Sequence, residues 1–94
     1  MNVVLSVLKD LGIDEKDATR EYALLNASQK AGELAHECDA FKQKYRMSFE
    51  DFEKRLRNRN QENFDEEDDY LAWKCAVEGL AFWRKKVKLL KSIS

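Results

Sequence analysis

The stretch Leu24-Leu-Asn-Ala27-Ser-Gln-Lys-Ala31-Gly-Glu-Leu34-Ala-His-Glu-Cys38-Asp-Ala-Phe41-Lys-Gln-Lys-Tyr45 decides the fold. Its residues Leu24, Ala27, Ala31, Leu34, Cys38, Phe41 and Tyr45 are spaced 3, 4, 3, 4, 3, 4. A helix turns once in about 3.6 residues, so this alternation lays all seven along one seam. Trp73, Ala76, Leu80, Trp83, Val87 and Leu90 repeat the spacing later in the chain. Two seams of similar length on separate helices cover each other most simply. The pattern therefore predicts an all-α fold, with long helices over about residues 15–46 and 66–92 packed as an antiparallel hairpin. In that pairing Ala27 and Ala31 lie opposite Trp83 and Val87, small against large.

The connections read from their capping residues. Between the seams, Ser48 is an N-cap with Asp51 three residues on, and Met47 and Phe52 take the positions of a hydrophobic staple. They predict a short connecting helix over about residues 49–57 that buries Phe49, Phe52 and Leu56. The polar run Asn58-Arg-Asn-Gln-Glu-Asn63 then stops it, and Asn63 or Asp65 caps the last helix. Upstream, Val4, Val7, Leu8 and Leu11 fit one face of a short first helix over residues 2–11. Its valines would also suit a strand. Gly12 fits the left-handed residue that ends a helix, with Ile13 closing the contact behind it, and Asp14 is the next N-cap.

Ninety-four residues make one domain, spanning the whole chain. The absence of proline and the presence of only three glycines favour long helices. Lys and Arg number 17 against 18 Asp and Glu, so no global field draws in nucleic acid or an anionic membrane. Cys38 and Cys75 are too few for a disulfide framework and form no metal-binding pair, which points to free thiols in a reducing cytoplasm. The apolar stretch near the N-terminus is short and carries Lys9 and Asp10, so it is read neither as a signal peptide nor as a membrane span.

The polar clusters each have a structural reading. Asp65, Glu66, Glu67, Asp68 and Asp69 sit where carboxylates favour a helix start, and Lys85, Lys86, Lys88 and Lys91 sit at its opposite end. Glu33 and His36 have the Glu-x-x-His spacing of di-iron bundles, yet the seam turns them outward, away from any bundle core. Lys54, Arg55, Arg57 and Arg59 form the densest basic cluster. It suits phosphate contact or ion pairing, and it contains no aromatic residue for stacking on bases. No Ser-His-Asp set or glycine-rich phosphate loop is present, and with a single His the chain is not expected to be an enzyme or to hold a metal or cofactor.

The informative feature is a second apolar stripe on the last helix: Leu71, Cys75, Phe82 and Leu89, roughly 160° from the seam by helix geometry. A helix apolar on two faces is buried on two sides. Either the first or the connecting helix covers this stripe, or another chain does. Ala72, Ala76 and Gly79 would admit a close neighbour, and Gly32 and Gly79 are expected at tight contacts.

Two resemblances bear on function. Lys30-Ala-Gly-Glu-Leu-Ala resembles helical nucleotide pyrophosphohydrolases of the MazG type, which bind magnesium through Glu-Glu-x-x-Glu and a later Glu-x-x-Asp. Glu66 and Asp69 match the second element, whereas Gln29 and Lys30 replace the leading glutamates of the first. Tyr45-Arg-Met-Ser-Phe-Glu-Asp-Phe-Glu53, the acidic run and Tyr70-Leu-Ala-Trp73 together resemble a group of small helical prokaryotic proteins, some of them antitoxin-like partners of small toxins. That resemblance implies a binding role. The sequence is thus read as an interaction module that binds helix on helix. Leu71, Cys75, Phe82 and Leu89 form the binding face and Arg55, Arg57 and Arg59 its charged rim. The expected partner is a second copy, giving a homodimeric bundle, or another protein such as a toxin. Nucleic acid at residues 54–59 is the alternative, and no membrane is involved.

Overall fold

The computed structural model describes residues 2–93. Within them the chain forms α1 (Val3–Asp10), α2 (Glu15–Tyr45), α3 (Phe49–Arg57) and α4 (Phe64–Ser92). The first segment is helix, not strand: Asn2 Oδ1 accepts from the Val4 amide at 2.9 Å and sets its start. It ends as Gly12 and Ile13 led one to expect. Gly12 adopts φ 73°, its amide donates to Lys9 O at 3.0 Å, and the Ile13 amide reaches back to Leu8 O at 2.8 Å. Asp14 then caps α2 through the Lys16 amide.

Two helix ends fall slightly off the sequence reading. Helix α2 stops at Tyr45 because Arg46 turns left-handed, φ 55°, and its amide closes onto Lys42 O. No glycine announces this turn. Helix α4 starts two residues early because Asn63, not Asp65, is the cap, accepting from the Glu66 amide at 3.2 Å. Ser48 caps α3 by accepting from the Asp51 amide at 3.1 Å.

Helices α2 and α4 pack along both seams as an antiparallel pair. Every seam residue is buried or half-buried, from Leu24 to Tyr45 and from Trp73 to Leu90. The fully buried set is small: Ala27, Phe52, Trp73 and Ala76. At Gly79 the helices touch so closely that a Cβ would stand 3.0 Å from Leu34 Cδ1. Gly32, expected at a similar contact, faces open space.

Packing is concentrated where α3 closes the hairpin. The Trp73 ring lies 5.4 Å from Phe52, 5.5 Å from Phe49, 5.7 Å from Phe41 and 6.2 Å from Tyr45, centroid to centroid. Burying a ring such as Phe52 stabilises by roughly 1.5–3 kcal/mol, so this cluster is the anchor of the fold. The molecule is long and thin, 65 × 24 × 18 Å. Its radius of gyration is 19.7 Å, against about 13 Å for a compact domain of this size.

Candidate functional site

The two ends of the hairpin differ in chemistry. At the closed end, polar groups surround the aromatic cluster and pair with one another. Asp69 accepts from Lys44 Nζ at 2.5 Å and from the Tyr45 hydroxyl. The Lys44 hydrogen bond, then that of Tyr45, hold the Asp69 carboxyl below the usual carboxylate range. Burial, then the hydrogen bond to Asp69, push the Tyr45 phenol up. The Tyr70 hydroxyl donates to Glu53 at 2.5 Å, and that bond raises its own phenol.

The basic cluster expected to form a charged rim is engaged here. Arg55 pairs with Glu66 at 2.7 Å and lies over the Phe52 ring at 5.2 Å. Arg59 pairs with the same Glu66, and Arg57 with Glu53 at 3.5 Å. All three arginines thus reach carboxylates of their own chain. Glu66 and Asp69, the residues matching the hydrolase element, are occupied by cations and a phenol. Glu33 and His36 are both exposed, and no metal-holding cluster occurs among the described residues. Nor is any helix among them long and apolar enough to cross a membrane.

The open end is the reverse: apolar and uncovered. Phe82 and Leu89 remain 52% and 49% exposed. They line a groove of about 310 Å³ with Trp83, Lys86, Leu90 and Ile93 of the α4 end, against Ala23 and Ala27 of α2. The stripe therefore borders the seam here, since Trp83 and Leu90 share its groove, rather than standing opposite to it. The small Ala23 and Ala27 leave the space that a larger pair would fill. Sequence spacing found Phe82 and Leu89; it missed Ile93 and Ala23, which join them only once the two helices are paired.

The stripe is not one continuous site. Leu71, 62% exposed, borders a separate groove with Leu56, Glu53, Arg57 and Tyr70 near α3, and Cys75 lies exposed between the two. Neither short helix covers the stripe, so the intramolecular cover weighed from the sequence is not what the chain adopts. Helix α1 instead leaves Val3, Val4 and Val7 exposed, as is Leu11 just past its end.

At the open end the charge divides between the helices, with Glu15, Asp17 and Glu21 at the start of α2 and cations on the last turns of α4. Arg84, Lys85, Lys86, Lys88 and Lys91 crowd the last turns of α4, where residues 84–93 hold no carboxylate. Lys86 sits over the Phe82 ring at 5.2 Å. The arrangement offers an apolar contact bordered by Lys86. Compared with known proteins, the chain matches no protein family, no curated protein and no solved structure.

Proposed function

We propose that the chain is a helical interaction module that works by burying the open end of its hairpin, centred on Phe82 and Leu89, against another helix. One observation carries this reading: two large apolar side chains, about half exposed, line a groove that the chain leaves empty. Burying the exposed half of each would contribute roughly 0.7–1.5 kcal/mol. A helix is the element that fits a groove between two helices. Self-association at a two-fold axis is the commonest way to cover such a face, and a homodimer completes a helical bundle. The resemblance of residues 45–73 to antitoxin-like proteins supports a second occupant of the same face, a partner protein such as a toxin. Free Cys38 and Cys75 accord with a reducing, cytoplasmic setting.

The nucleic-acid alternative has less support, because Arg55, Arg57 and Arg59 are already paired. The hydrolase alternative loses support for the same reason at Glu66 and Asp69. Sedimentation equilibrium of the purified chain at tens of micromolar tests the proposal. A dimer that dissociates on Phe82→Glu is the expected result. A wild-type monomer that also retains no partner from its host would overturn it.

A further inference from the structure

The open-end groove and helix α1 have complementary needs. The groove is apolar along the stretch from Phe82 to Ile93, about 16 Å of helix. Helix α1 has eight residues, about 12 Å; Val4 and Val7 on it and Leu11 just past its end are spaced 3 and 4 and all exposed. Charge complements shape. Residues 9–21, which leave α1 and start α2, carry five carboxylates (Asp10, Asp14, Glu15, Asp17, Glu21) against three cations. Lys86 lines the groove itself, and Arg84, Lys85, Lys88 and Lys91 stand on the same turns of α4, where residues 84–93 hold no carboxylate. Among the described residues, none of those five cations has an ion-pair partner in its own chain.

We infer that two copies exchange these arms: α1 of one copy seats in the Phe82–Leu89 groove of a second, whose own α1 seats in the first. The inference rests on the reading that the open end binds a helix, and it names that helix. Exchange about a two-fold axis satisfies both groove and arm twice, since each contact of residue i with j is matched by j with i. It also sets Asp10, Asp14, Glu15 and Asp17 of one copy near Lys85, Lys86, Lys88 and Lys91 of the other, so rising salt weakens the pair.

The test uses full-length chains in sedimentation equilibrium, with circular dichroism to confirm that each variant keeps its helices. Val4 and Val7 are exposed, so the double variant Val4→Asp/Val7→Asp leaves the hairpin core untouched. It should weaken the dimer tenfold or more, as should Phe82→Glu. Mixing the two variants is decisive: the first retains an intact groove and the second an intact α1, so exchange predicts that the mixture associates more tightly than either alone. A Val4→Asp/Val7→Asp protein that dimerises as tightly as wild type overturns the exchange and leaves association through Phe82 standing. Loss of dimer in both variants with no recovery on mixing also overturns it. A wild-type monomer overturns both the exchange and self-association.

Discussion

Gly79 of α4 lacks a side chain where Leu34 of α2 crosses it, and a Cβ there would stand 3.0 Å from Leu34 Cδ1. Gly32, also mid-helix, has nothing within 4 Å of the same position. Glycine inside a helix costs roughly 1 kcal/mol relative to alanine. Gly32→Ala should therefore stabilise the chain by about that much in urea unfolding. Gly79→Ala should gain far less, since the Leu34 methyl must move aside, and Gly79→Val should lose about 1–3 kcal/mol. Equal gains at both glycines would mean that the helices do not cross so closely.

Stability should fall at both ends of the pH scale through one cluster. The Asp69 carboxyl lies below its ordinary value because Lys44 and Tyr45 hydrogen-bond it. Its contribution is complete above about pH 4, the unfolded value, and is lost as pH drops through the depressed folded one. The Tyr45 phenol is raised, so its contribution is complete below about pH 10 and is lost as pH climbs through the folded value. Melting temperatures recorded from pH 2 to 11 should show both declines. Asp69→Asn should flatten the acid limb and Tyr45→Phe should reduce the alkaline one; unchanged limbs would show that the cluster is not formed in solution.

The aromatic anchor gives the largest expected losses. Trp73 is 2% exposed among four other rings, and truncating a buried Trp to Ala costs about 3–5 kcal/mol. Small domains have only about 5–15 kcal/mol to lose. Trp73→Ala should therefore bring the chain close to unfolding. Leu34→Asp and Leu80→Asp place an unpaired charge in the seam and should unfold it as well. Full helicity and an unchanged melting temperature in any of the three would refute the seam pairing.

Two neighbouring carboxylates should separate structural from merely solvated charge. Glu66 receives both Arg55 and Arg59, whereas Asp68 is exposed and joins no ion pair among the described residues. Glu66→Ala should cost about 1–2 kcal/mol, because it leaves the half-buried Arg59 guanidinium without its carboxylate, while the exposed Arg55 turns to solvent. Asp68→Ala should change stability by no more than about 0.5 kcal/mol. A salt-dependent mobility shift of nucleic acid that disappears in an Arg55, Arg57 and Arg59 triple variant, while the hairpin stays folded, would restore the nucleic-acid reading.

The seams were legible because burial imposes a period: each of their thirteen residues is at least half-buried. Caps were legible where a side chain must accept an amide, as at Asp14 and Ser48. The end of α2 was placed within one residue by the seam alone, although the left-handed Arg46 that makes it carries no residue-type signature outside glycine and asparagine. The partners of the basic cluster were hidden. Arg55 and Glu66 lie eleven residues apart, and only the turn at residues 58–63 brings them together. Spacing showed that Phe82 and Leu89 share a face. That this face borders a groove, and that Leu71 faces a different one, depended on how α2 and α3 lie against α4.

Placing the aromatic anchor at one end of so slender a molecule has a kinetic consequence. Bringing Tyr45 to Asp69 closes a shorter stretch of chain than pairing Ala23 with Leu90, and so loses less chain entropy. Folding should nucleate there and propagate outward, pair by pair, toward Ala23 and Leu90. Amide hydrogens beside Trp73 should then exchange only by global unfolding, while those near the start of α2 and the last turns of α4 exchange through local fraying. The groove residues are thus the last to order and the first to loosen, and whatever seats on them should slow exchange there by orders of magnitude while scarcely changing it beside Trp73.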